Sequence, residues 1–236
     1  MRSIDIARMI DHSVLHPTLT DDDLKKQCEI ASRYKVATVC VKPYHVKLAS
    51  LFLKGSGVNI CVVIGFPHGN SSIDVKVIET LHVCADGAKE VDMVVNIGKV
   101  LQGDWDYVKK EIDAIHKACI DNHAILKVIF ENDYVTNDSD KIKLCQICNE
   151  INVEFVKTST GYGFVKGTDG KYFYNGATES DLKLMRKYCN PSIQIKAAGG
   201  VRTLEQLLKV RDLGVTRVGA SATEEIMKEA ILKFGE

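Results

Sequence analysis

Along the chain, short apolar runs rich in β-branched residues alternate with longer stretches whose apolar positions recur every three or four residues. The short runs fall at 10–15, 38–42, 59–65, 90–96, 125–131, 154–158, 192–197 and 216–219. Most are apolar at consecutive positions, as expected of strands covered on both faces. The longer stretches carry helical stripes. Leu24, Cys28 and Ala31 follow Thr20 and Asp23, whose spacing suits a capping box, and Val46 and Leu51 follow Pro43, a good first helical residue. Further stripes run through Ile73, Val77, Leu81 and Cys84, through Val108, Ile112, Ile115 and Cys119, and through Ile142, Cys145, Cys148 and Ile151. The last three comprise Leu182, Met185 and Cys189 after Thr178, Leu204, Leu207 and Leu208 after Thr203, and Ile226, Ala230 and Phe234. Eight strands, each followed by an amphipathic helix, predict an α/β fold closed as a (β/α)8 TIM barrel. Should the short first strand fail, an open doubly wound sheet is the alternative. No linker or low-complexity tract interrupts the pattern, so residues 1–236 read as a single barrel domain. One connection, 162–175, is glycine-rich, aromatic and longer than an ordinary βα loop, and it is expected to act as a lid.

Charge narrows the range of partners. The 31 basic and 31 acidic residues cancel, so no overall field draws the chain to nucleic acid or to an anionic membrane. Any anion must be held locally. The first residues carry Asp5, Arg8 and Asp11 inside their apolar pattern, unlike a signal peptide, and no run of about 18 apolar residues occurs. The eight cysteines sit singly in strand and helix patterns, apart from Cys145 and Cys148 on one helical face, which suits reduced core thiols. These features predict a soluble, cytoplasmic protein. The histidines show no metal-ligand spacing, and no cofactor motif is present.

The chemistry centres on 154–161, EFVKTSTG, where Lys157 follows Phe155 and Val156 at the end of an apolar run. A charge at the end of a buried strand is costly unless it has a partner or a task. Lys196, in IQIKAAGG, repeats the pattern on the next barrel strand. Two ammonium groups about 6 Å apart at an effective dielectric of about 20 repel by about 3 kcal/mol, which favours a neutral, nucleophilic amine on one of them. Asp92, inside EVDMVVN, is expected to point into the barrel, where a carboxylate beside an ammonium moves protons. The alternative is an Asp92–Lys196 ion pair that only fills the barrel. Two small-residue segments, AAGGVRT after Lys196 and GASATEE after the last strand, open helices where many barrels hold phosphate, and TSTG after Lys157 adds a third.

Together these segments resemble deoxyribose-phosphate aldolase, a class I, Schiff-base aldolase family with a (β/α)8 fold. The resemblance covers nearly the whole chain: IDHSVLHPTLTDDDL, TVCVKPYHV, VVIGFPHG, KEVDMVVNIG, LKVIFE, FVKTSTG, IQIKAAGGVRT and RVGASA occur in the family's order. FVKTSTG with KAAGG is the most specific part. The resemblance implies that Lys157 forms the imine, that Lys196 favours its neutral form, and that Asp92 works with Lys196 and a water as acid and base. It further implies that Asp11, Cys40 and Thr158 line the substrate pocket and that groups at Gly161, Gly199, Gly200, Gly219 and Ser221 hold phosphate. The implied reaction cleaves 2-deoxy-D-ribose 5-phosphate to acetaldehyde and D-glyceraldehyde 3-phosphate, or joins them, without metal or cofactor. The implied assembly is a homo-oligomer, a dimer or tetramer. Ala222 and Tyr162 depart from the pattern, standing where many relatives carry a serine and some a lysine, and each removes an expected phosphate contact. Two further readings stand beside this one: a transaldolase-like Schiff-base enzyme for longer sugar phosphates, and a sugar-phosphate-binding protein without catalysis.

Overall fold

The computed structural model describes residues 1–235. Eight parallel strands close into a barrel: β1 (Ile10–Val14), β2 (Thr38–Val41), β3 (Asn59–Ile64), β4 (Glu90–Val94), β5 (Ile125–Ile129), β6 (Phe155–Lys157), β9 (Gln194–Ala198) and β10 (Arg217–Ala220). β7 (Val165–Lys166) and β8 (Tyr172–Phe173) form a separate antiparallel hairpin in the connection after β6. Neighbours in the barrel follow chain order, and β10 closes on β1 with Asp11 opposite Gly219. The expected strands thus occur within two residues of their expected bounds, and the open-sheet alternative falls away.

The helices are α1 (Ser3–Ala7), α2 (Asp21–Tyr34), α3 (Val46–Phe52), α4 (Ile73–Ala85), α5 (Ile97–Gln102), α6 (Trp105–Asp121), α7 (Asp138–Ile151), α8 (Glu179–Tyr188), α9 (Leu204–Asp212) and α10 (Thr223–Phe234). The anticipated caps form: Thr20, Thr178 and Thr203 each accept a hydrogen bond from the amide three residues on. Short α1 and α5 carry no stripe that announces them. The main core lies between strands and helices, where Leu24, Ile112, Leu144, Leu182, Leu207 and Ile226 are buried.

One helix departs from its expected orientation. In α4 the buried face is Lys76, Thr80 and Val83, while Leu81 is 44% exposed together with Val75 and Ile78. The cause is Lys76, whose Nζ reaches inward to Glu111 Oε1 on α6 at 2.6 Å and to the Val94 carbonyl at 2.7 Å. Satisfying a buried ammonium outweighs turning the more apolar stripe inward. Leu51 on α3 likewise faces outward, at 67% exposure.

Candidate active site

The barrel interior is charged. Lys127, Lys157, Lys196 and Arg217 project inward from β5, β6, β9 and β10 toward Asp11, Glu90 and Asp92 on β1 and β4. Strand register brings them together, since Lys157 pairs with Lys196 across β6 and β9 and Asp92 with Lys127 across β4 and β5. Lys157 Nζ and Lys196 Nζ each lie 2.7 Å from Asp92 Oδ2, so the two nitrogens are at most 5.4 Å apart. The Asp92–Lys196 contact therefore belongs to a larger assembly. The other carboxylate oxygen, Asp92 Oδ1, accepts from Lys127 at 2.8 Å and from the Cys61 thiol at 3.1 Å.

The cations are not equally held. Lys127 meets three carboxylates, at 2.6 Å, 2.8 Å and 3.6 Å. Lys196 is clamped between Asp11 and Asp92, and Arg217 between Asp11 and Glu90. Lys157 pairs directly with Asp92 alone, and the buried Glu131 carboxyl acts on it from further away. Burial works against the charged form of Lys196, but Asp11 and Asp92 outweigh it and raise its pKa above the usual lysine range. Burial also opposes ionisation of Asp92, yet Lys127, Lys157 and Lys196 hold its carboxyl well below the usual carboxylate range. For Asp11 burial is likewise overcome by Lys196, Lys127 and Arg217. Four cations face three anions, an imbalance that a dry interior relieves when one amine gives up its proton. The amine with the fewest counter-ions is Lys157.

Above this network, at the C-terminal ends of the strands, opens a cavity of about 560 Å³. Its wall includes Gly161, Gly199, Gly200, Gly219 and Ser221, all anticipated from the sequence, together with His16 and Arg202. Asp11, Cys40, Asp92, Lys157 and Lys196 all lie buried outside its lining. Thr158 is buried too, its hydroxyl accepting from the Ala198 amide at 3.1 Å and donating to the Ala198 carbonyl at 3.2 Å, so it ties β6 to β9. Cys40 packs beside Cys61, Val63 and Leu15.

The long connection forms one wall of the cavity. Tyr162 meets Phe66 edge-on at 5.5 Å and Phe164 meets Tyr174 at 5.6 Å, and the cavity is lined by Tyr162, Phe164 and Tyr174. The base of the hairpin is fixed: Asn175 donates its amide to Asp133 at 2.5 Å, and a Cβ on Gly176 would sit 2.6 Å from the Gly199 carbonyl oxygen. Beneath it Glu131, at φ +57, accepts from the amide and hydroxyl of Thr160 and so shapes the TSTG turn. Burial pushes the Glu131 carboxyl up to about 7.

Sequence reasoning missed Lys127, Glu90, Arg217 and Glu131. Lys127 carries the same signal as Lys157, a charge inside an apolar run, and was open to the same argument. Glu90 and Arg217 sit near strand starts, where a charge ordinarily meets solvent.

The comparisons bear on what this assembly does. The description "DeoC/LacD family aldolase" matches residues 6–222. The chain belongs to the DeoC/LacD aldolase family. It is accordingly an enzyme of carbon–carbon bond cleavage and formation. A deoxyribose-phosphate aldolase of Rhodopirellula baltica is 46% identical over 98% of this chain and 91% of its own length. One from Thermococcus gammatolerans is 43% identical over 98% of each chain. Among solved structures, a putative deoxyribose-phosphate aldolase from Coccidioides immitis superposes with a TM-score of 0.88 at 34% identity, covering 97% of this chain and 87% of that one. For this member of the DeoC/LacD family, the charged barrel floor and the glycine-lined cavity above it form the candidate active site.

Proposed function

We propose that this aldolase cleaves 2-deoxy-D-ribose 5-phosphate reversibly to D-glyceraldehyde 3-phosphate and acetaldehyde, through an imine on Lys157 and without a metal ion. The observation that carries the reading is the sharing of one carboxylate oxygen, Asp92 Oδ2, by two lysines in a network one cation in excess. The neutral Lys157 amine adds to C1 of the open-chain sugar, and loss of water gives the iminium. Removal of the C3 hydroxyl proton, by Asp92 through a water, breaks the C2–C3 bond. C3 becomes the aldehyde carbon of D-glyceraldehyde 3-phosphate, and the bonding pair moves into the iminium as an enamine. Protonation of the enamine at C2 and hydrolysis of the resulting imine release acetaldehyde and restore the amine. Lys196, kept charged by Asp11 and Asp92, holds Asp92 as a carboxylate through the cycle. Because the iminium nitrogen accepts the electrons, no Lewis acid is required.

The phosphate is assigned to the backbone amides at Gly161, Gly199, Gly200 and Gly219 and to Ser221. Support comes from their common cavity and from the start of α10, where Ala222 offers no side-chain cap to the first amides. Arg202, also in the wall, supplies a cation where the sequence lacks the expected lysine at position 162. With Asp11, Cys40 and Thr158 buried beneath, their part is to support the reacting groups. We also assign the chain to a homo-oligomer. The outward apolar residues Val75, Ile78 and Leu81 of α4 support this, and the Aeropyrum pernix deoxyribose phosphate aldolase, 25% identical with a TM-score of 0.85, is described as tetrameric. A cytoplasmic location accords with eight free cysteines and with no helix among the described residues long and apolar enough to cross a membrane. The test is the retro-aldol rate on 2-deoxyribose 5-phosphate before and after exhaustive chelation. An unchanged rate is expected; a rate lost with chelation and restored by a divalent ion would overturn the imine route.

A further inference from the structure

Spacing along the chain revealed no set of metal ligands, but the barrel assembles two around Cys61, one with Asp11 and Glu90 and one, richer in sulfur, with Cys40 and Asp92. Cys40 and Cys61 are register partners on β2 and β3, and Asp92 lies on β4. Their ligand atoms lie within 4.8 Å of one another, with Cys61 Sγ 3.1 Å from Asp92 Oδ1. All three residues are fully buried. A tetrahedral zinc-class ion, with metal–sulfur bonds near 2.3 Å and metal–oxygen bonds near 2.1 Å, separates neighbouring ligand atoms by about 3.5–3.8 Å. The three atoms need only small movements to meet that requirement.

We propose that Cys40, Cys61 and Asp92 form an inhibitory site for a thiophilic divalent cation of the zinc class. Two thiols and one carboxylate exchange two protons for one M²⁺, giving M(S)₂(O) and 2 H⁺, with no oxidant or reductant involved. The fourth position is left to water or a substrate oxygen. The exchange leaves the net charge of the barrel floor unchanged, because the two charges of the ion replace those of the two protons lost. Lys127, which lies 3.2 Å from Cys61 Sγ and 2.8 Å from Asp92 Oδ1, therefore sees the same total charge on its partners before and after binding. Two sulfur ligands select soft ions over magnesium or calcium. Binding through Oδ1 displaces Lys127 from that oxygen and draws the carboxylate's charge toward the ion, which weakens Asp92 as the base whose Oδ2 serves Lys157 and Lys196, so the ion inhibits rather than assists. The site rests on the cluster alone, while the inhibition rests on the role given to Asp92 above.

Cadmium serves as the probe, because its bonds to thiolate absorb in the ultraviolet independently of enzyme activity. Titrating the full chain with Cd²⁺ should give a charge-transfer band that saturates at one ion per chain with the intensity of two thiolates. Retro-aldol activity should fall in parallel and return with excess chelator. In Cys61→Val the band should weaken at least tenfold, and inhibition relative to that variant's own metal-free rate should vanish. Cys148→Ala, which removes a buried thiol from the Cys145–Cys189 region, should titrate like the parent and so checks that the loss is local. A band that survives Cys61→Val, or one that disappears in Cys148→Ala, would overturn the site. Saturation of the band without loss of activity would overturn the inhibition and leave the retro-aldol reading to its own chelation test.

Discussion

Two of the buried-charge clusters among the described residues differ in one respect that separates structure from chemistry. Behind the barrel, Lys76 and Glu111 form a one-to-one pair, both side chains fully buried, with the Val94 carbonyl accepting a second bond from Lys76 and the Asn96 amide donating one to Glu111. Inside the barrel, four cations meet three carboxylates beneath an open cavity. The first cluster is balanced and closed, so nothing in it is available to react. The second is one charge over, and its least-held member is Lys157. Burial of a lysine alone says little about function; an unbalanced set of partners says a good deal.

The comparison can be broken most severely at Lys157. Lys157→Leu should lower kcat by about 10⁴-fold or more, as expected when a covalent nucleophile is removed. Because the change replaces the least-held buried amine of the floor with an apolar side chain, the melting temperature should hold or rise, and calorimetry beside the assay checks both halves. Lys76→Met makes the opposite prediction. It strands Glu111 in the core and should cost about 3–5 kcal/mol of stability in a denaturant titration, while kcat per folded chain stays at the parent value.

Glu131 sharpens the contrast through pH. Its folded pKa of about 7 lies above the ordinary glutamate value of 4.5, so between these limits the folded chain holds a proton that the unfolded chain has lost. The contribution to stability is therefore full below about 4.5 and is lost as pH rises through 7, by about 3 kcal/mol at most. Thermal melts from about pH 5 to about pH 8 should show this decline, and Glu131→Gln should flatten it. The smallest effect belongs to the outer face of α4, where Ile78→Lys should reduce the oligomer in sedimentation experiments and leave the barrel chemistry nearly untouched.

The barrel itself was legible because its strands are continuous apolar runs and its helices begin at recognisable caps. Lys157, Lys196 and Asp92 were legible because each interrupts such a run. The orientation of α4 was not, since Ile73, Val75, Val77, Ile78 and Leu81 make the helix apolar on several sides. The residue that decides its facing, Lys76, answers to a partner 35 positions away. The surplus of cations was hidden for a related reason: Arg217 and Glu90 look like solvent-facing strand starts until closure of the sheet turns them toward Asp11 and Lys127. The Cys40–Cys61–Asp92 cluster likewise exists only across three strands, where no spacing rule reaches it. The stretch 162–175 read as a lid from composition, and its hairpin, anchored at Asp133 and walled by Tyr162, Phe164 and Tyr174, forms one side of the cavity.

The imine route proposed for this enzyme assigns the reaction to the least-held amine of the barrel floor, Lys157. It is tested most directly by treating the enzyme with 2-deoxyribose 5-phosphate or acetaldehyde in the presence of borohydride and mapping the reduced adduct by peptide mass spectrometry. One adduct is expected, on Lys157, with none on Lys127 or Lys196 and none in Lys157→Leu. An adduct on either of the other barrel lysines, or trapping undiminished in Lys157→Leu, would contradict it.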